Sequence, residues 1–137
     1  MIKPVEIQIR FSDIDVMGHV NNATYLSYFE YTRMYYFEKL LGLKWNWNEH
    51  GIILVRNEIE YLKPILLNDN PIIQMYIGDI GNKSFAFHYE VRVDNIVRTK
   101  AMSKLVCYNT IQQKTIAIPE KMKLSFNNLT KYTNEDR

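Results

Sequence analysis

Asp13 and Asp15 open the segment DIDVMGHVNNATYLSYFEYTR (13–33), followed by Gly18, His19 and the pair Asn21-Asn22. Carboxylates and an imidazole at this spacing can take and give protons near neutral pH. The residues after Asn22 read as a long, aromatic-rich helix. The first turn of a helix leaves N–H groups unpaired, and these can hold negative charge as it develops. A loop of ionisable groups running into a helix start therefore offers a base and an anion site, the two halves of a hydrolytic centre.

Several elements must hold that loop in place. Residues 5–11 (VEIQIRF) alternate apolar and polar and predict a first strand. Residues 12–21 are the polar loop. From 22 to 41 the pattern becomes helical, with Leu26, Phe29, Arg33, Tyr36, Phe37 and Leu40 on one face. Asn21 or Asn22 is the expected N-cap and Gly42 the expected stop. Residues 43–50 predict a short turn. Strands are expected over 52–63, ended by Pro64, and over 72–80, 84–94 and 96–108, with a short one at 115–118 and a helical turn at 119–126. In 84–94, Phe85, Phe87, Tyr89, Val91 and Val93 fall on one face, and Asp94-Asn95 marks a tight hairpin. One long helix can cover only one face of an antiparallel sheet, which predicts an α+β layout. The long edge strand or far face is then left for a second copy.

With 137 residues, 47% hydrophobic and 23% charged, the chain fits one globular domain over 1–126 with a polar, frayed tail at 127–137. Its net charge of +2 gives no footprint for nucleic acid, and no apolar run could span a bilayer. The start of the chain has no signal-peptide block, and Cys107 has no partner for a disulfide, so a cytoplasmic location is expected. In the strand-like run KLVCY, Cys107 reads as a buried, inert thiol. His50 and His88 show no metal-ligand spacing, and no metal is expected.

The segment RFSDIDVMGHVNNATYLSYFEYTR resembles the N-terminal signature of the hotdog-fold thioesterases of the 4-hydroxybenzoyl-CoA thioesterase family. It looks nearest to the bacterial long-chain acyl-CoA thioesterases. Asp15, the HVNN run at 19–22, Tyr25 and the following helix carry the likeness, and IEYLKPILLND (59–69) resembles the family's strand with a tyrosine and a proline before a polar turn. The resemblance implies a hotdog fold, one long helix wrapped by a five- to six-stranded antiparallel sheet. It implies sites at a homodimer interface, dimers that pair into homotetramers, acyl-CoA or acyl-ACP substrates, and no cofactor.

By the same resemblance, Asp15 is the catalytic carboxylate, acting as general base or nucleophile. His19 is a helper that orients Asp15, positions water or protonates the leaving thiol. The backbone N–H at Asn22 polarises the thioester carbonyl. Gly18 lets the loop approach the substrate, Tyr25 lines the acyl pocket, and Ser84 meets the pantetheine arm. Met17 departs from the plant acyl-ACP enzymes, which carry Asn there, so Asp15 acts with fewer polar helpers. Asp13 reads as a capping carboxylate, Glu30 and Arg33 as a helix-surface pair, and Lys63, Lys83, Arg92 and Arg98 as surface cations that could meet CoA phosphates. Two other functions compete. Hotdog hydratases and dehydratases use D-x-N-P-x-H, a spacing of five with a proline, whereas Asp15 and His19 are four apart without one. A non-catalytic acyl-thioester-binding subunit would not need Asp15.

Overall fold

The computed structural model describes residues 2–131. The elements are β1 (Val5–Glu6), α1 (Thr24–Leu41), β2 (Gly51–Tyr61), β3 (Ile72–Ile80), β4 (Ser84–Val93), β5 (Ile96–Asn109), β6 (Lys114–Thr115) and α2 (Glu120–Ser125). Short 3-10 turns lie at Phe11–Asp13 and Phe126–Leu129. The strands form one antiparallel sheet in the order β1-β3-β4-β5-β2, and β6 pairs with the end of β5. The sheet curls around α1, as the α+β reading requires.

The alternation in β4 holds. Phe85, Phe87, Tyr89, Val91 and Val93 are all buried. Phe29 of α1 stacks on Tyr89 at 4.5 Å between ring centroids, and Phe37 meets Phe87 at 5.5 Å. Asp94 and Asn95 both adopt positive φ, which a two-residue primed hairpin turn demands. Gly42 ends α1 at φ 84°, its N–H donating to the Glu38 carbonyl.

Other expectations need correction. The first strand stops at Glu6 instead of running to 11. Ile7 donates to the carbonyl of Pro71, but Pro71 has no N–H to return, so the ladder with β3 ends there. The helix starts at Thr24, two residues late, and the residue at its N-cap position is Ala23. Asn21 still does capping work, because its Oδ1 accepts the Ala23 N–H at 2.9 Å. The buried helix face runs through Tyr25, Tyr28, Phe29, Thr32, Arg33, Tyr36 and Phe37, while Leu26 is exposed. Tyr25 and Leu26 are both apolar, and periodicity could not tell which would turn inward. Arg33 does not pair with Glu30. It is buried and donates to the Tyr89 hydroxyl at 3.1 Å and to Ser103 Oγ at 3.5 Å. The final strand is only two residues long. Of the expected tail, residues 127–129 continue the 3-10 turn that begins at Phe126, with Leu129 buried, and residues 132–137 lie outside the described residues.

Two buried titratable groups show how the core treats charge. Burial pushes the Cys107 thiol up to about 11, as expected for an inert thiol. Glu90 sits on the outward face of β4 yet is buried. Burial would raise its pKa, but Lys131 at 3.1 Å, with Arg92 and Lys100, outweighs that and lowers it.

Candidate functional site

The Asp15 loop is fixed mostly by its own backbone. The Asp15 N–H donates to the His19 carbonyl at 2.8 Å, and the Gly18 N–H donates to the Asp15 carbonyl at 3.0 Å. Gly18 closes this turn at φ 80°, a conformation that favours glycine. Asp15 Oδ1 accepts the N–H groups of Met17 at 2.9 Å and His19 at 3.2 Å. Its other oxygen, Oδ2, accepts no hydrogen bond among the described residues. One half of the carboxylate therefore holds the loop and the other half is available for chemistry.

A second loop packs against the first. His19 bridges Leu66, and the Val20 N–H donates to the Ile65 carbonyl at 2.8 Å. Asp69 shapes that second loop, its Oδ2 accepting the Leu66 N–H at 2.8 Å, while Arg98 donates to the Pro64 carbonyl at 2.8 Å. Between the loops lies a depression of about 220 Å³ whose walls include Asp15, His19, Asn22, Tyr25, Tyr61 and Lys63. It joins an ionisable loop, the start of α1 and the end of β2.

The expected residues fall in three groups. Asp15, His19, Asn22 and Tyr25 share this depression, with Gly18 on the turn beside it. Asp13 is separate and occupied, its Oδ2 accepting the Arg10 N–H at 3.0 Å and the Tyr28 hydroxyl at 2.7 Å. Burial first, and that bond second, hold the Tyr28 phenol well above its ordinary pKa. A larger hollow of about 620 Å³ adjoins this pair between residues 6–10 and α1; there Asp13 Oδ2 holds the turn and the Tyr28 hydroxyl, while Oδ1 accepts no hydrogen bond among the described residues. Ser84 lies apart. It pairs with Val106 while Tyr61 pairs with Thr99, seven residues further along β5, roughly 23 Å in extended chain. Of the four suggested cations only Lys63 lines the depression. Arg92 pairs with Glu90, Arg98 holds the second loop, and Lys83 reaches Thr115.

The backbone donors sharpen the site. Of the N–H groups from Asp15 to Thr24, only those of Val16 and Asn22 lack an acceptor among the described residues. Val16 is fully exposed, whereas Asn22 borders the depression. Asn22 thus offers a free donor beside a half-free carboxylate. The imidazole of His19 makes no hydrogen bond among the described residues; it is the backbone of His19 that bonds to Asp15, its N–H donating to Oδ1 and its carbonyl accepting the Asp15 N–H. Tyr61 lines the same depression although spacing did not point to it; its signal was its place at the end of a long strand, just before Leu62-Lys63-Pro64. Burial raises the pKa of the Tyr25 and Tyr61 phenols, so both keep their protons near neutral pH. Among the described residues no group of three or more His, Cys, Asp or Glu side chains is placed to hold a metal, and no helix is long and apolar enough to cross a membrane.

Comparison with known proteins bears on the family and the fold. The family described as the thioesterase-like superfamily matches residues 9–126. The long-chain acyl-CoA thioesterase FadM of Escherichia coli is 26% identical over 92% of this chain and 98% of its own. YsmA of Bacillus subtilis is 30% identical, over 61% of this chain but only 56% of that protein. A thioesterase of Thermus thermophilus, solved with coenzyme A and Zn, superimposes with a TM-score of 0.81 at 30% identity, covering 92% of each chain. With its helix wrapped in an antiparallel sheet and its family match running from Ile9 to Phe126, the chain belongs to the thioesterase-like hotdog superfamily.

Proposed function

We propose that this protein is an acyl-CoA thioesterase, cleaving an acyl thioester of coenzyme A, or of acyl carrier protein, to the free acid and thiol. The observation that carries this reading is the half-free Asp15 carboxylate next to the unpaired Asn22 N–H in one depression. With Asp15 as general base, it takes a proton from water while the water oxygen bonds to the thioester carbon. The carbonyl electrons move onto oxygen, where the Asn22 N–H stabilises them. Collapse re-forms the carbonyl and breaks the carbon–sulfur bond, and the thiolate takes a proton, for which the unbonded His19 imidazole is the nearby donor. With Asp15 as nucleophile, its free oxygen bonds to the same carbon, the carbon–sulfur bond breaks, and the thiolate leaves and takes a proton; water then hydrolyses the resulting anhydride to the free acid and the Asp15 carboxylate. Gly18 keeps the turn open, and Tyr25 forms the wall beneath the acyl group.

The site is completed by a second copy in this reading. β2 is an eleven-residue strand with one edge unpaired among the described residues, and Ile53, Leu54 and Val55 are exposed on it. Such an edge is normally covered. Antiparallel pairing of two β2 edges lays the Gly51 end of one against the Tyr61 end of the other. Ser84, at the Gly51 end, then approaches the Asp15 depression of the partner, where it can meet the pantetheine arm. Light scattering on the eluting protein should give two or four times the 16.4 kDa chain mass, and a monomer would refute the shared site. The free, buried Cys107 supports the cytoplasmic assignment.

The test of function is thiol release over a panel of aliphatic and aromatic acyl-CoAs and acyl-ACP. Release with one class is the expected result. Folded protein that releases thiol from none of them would refute hydrolysis, leaving the hydratase and binder readings.

A further inference from the structure

We infer that Tyr61 is a positioning residue for the carbonyl-polarising amide, clamping the start of α1 to the end of β2. This rests on the thioesterase reading above. The Tyr61 hydroxyl donates to the Asn22 carbonyl at 2.9 Å. Its ring meets the buried Tyr25 edge-on, with centroids 5.0 Å apart, so the phenol is aimed by packing as well as by its hydrogen bond.

The peptide plane between Asn22 and Ala23 is thereby tied at both ends. Its carbonyl accepts from Tyr61, and its N–H donates to Asn21 Oδ1 at 2.9 Å. The preceding plane is tied on one side, since the Asn21 carbonyl accepts the Thr24 N–H at 2.9 Å. What remains between these fixed points is the Asn22 N–H, held in place but not consumed. A donor contributes to catalysis to the extent that it is preorganised before charge develops. The Ala23 cap position lies outside the hydrogen-bonded body of the helix, so the plane beside it would otherwise be free to rock. Tyr61 comes from a strand 39 residues downstream, and that strand is anchored by ten registered pairs with β5. The clamp thus transfers the rigidity of the sheet to the one amide that must not move.

The test compares Tyr61→Phe, which keeps the ring and removes the hydroxyl, with wild type. Displacing the donor should lower kcat by roughly 10- to 100-fold while KM changes by less than about twofold. Affinity for a thioether analogue of acyl-CoA, which has no carbonyl to polarise, should not change. Asn21→Ala removes the other tie to the same plane and should lower kcat in the same way, which keeps the question open to test if Tyr61→Phe fails to fold. A wild-type protein without thiol release overturns the clamp together with the thioesterase reading. An active wild type whose Tyr61→Phe form keeps its kcat, or loses only substrate affinity, overturns the clamp alone.

Discussion

Asp15→Asn is expected to lower the thioester hydrolysis rate by about 10²-fold or more, as removal of a general base does. The folded state should survive the change. Asparagine keeps an Oδ1 acceptor for the Met17 and His19 N–H groups, so the loop retains the bonds that Asp15 now makes. What disappears is the charge on the free oxygen. An amide cannot take a proton from water at neutral pH, nor attack a thioester as a carboxylate does. Measuring thiol release on the best acyl-CoA of the panel checks this. The readout is clean because Cys107, the one cysteine of the chain, is buried with its pKa pushed to about 11. Unchanged turnover in a folded Asp15→Asn protein would remove Asp15 from the chemistry and leave the depression as a binding site.

The largest effect on stability is expected at Phe87. Its side chain is fully buried, and its ring lies 5.5 Å from Phe37, 5.1 Å from Phe85 and 5.8 Å from Phe126. It is the point where α1, the sheet and the C-terminal turn meet. Phe87→Ala removes a large apolar side chain from a site walled on three sides by aromatic rings, which can collapse only in part. The expected loss is about 3–5 kcal/mol. Against a total stability of roughly 5–15 kcal/mol for a domain of this kind, that loss is a large fraction. Urea unfolding of Phe87→Ala and wild type, compared at equal m-value, measures it. A loss below about 1 kcal/mol would mean that the three rings close the gap, contrary to the close packing of protein interiors.

The two variants differ because the sequence encodes core and site in different ways. The core was legible wherever the chain repeats a period. Strict alternation over 84–94 placed five inward residues of β4 correctly, and Asp94-Asn95 announced their own turn. Strand limits at 72 and 80 were also readable, because turn residues bracket an apolar run. Periodicity was less useful on α1, where five of the chain's ten tyrosines blur the line between inside and outside. Tyr25 turned inward and Leu26 outward, a choice made by contact with Tyr28 and Tyr61. Arg33 escaped the surface pairing expected of it because it turns into the core, where its Nη1 donates to two hydroxyls, those of Tyr89 and Ser103. No local pattern predicts a partner 56 or 70 residues away.

The site divides along the same line. The residues of one short loop, Asp15 to Asn22, were visible together because their chemistry is local, and a family resemblance could name their roles. The sequence by itself determined the α+β class, the strand-rich second half, and a polar loop feeding a helix. Tertiary structure decided the rest. It tied Asp13 Oδ2 to Tyr28 and the Arg10 N–H, away from the depression, and left Asp15 as the carboxylate that lines it. It brought Tyr61 and Lys63 to the loop and left Ser84 some seven residues away along β5. The physical reason is that a hydrogen bond or a ring contact depends on distance in space, while spacing in sequence fixes distance only within a single helix, strand or turn. Beyond that range the register of β2 on β5 determines which residues meet.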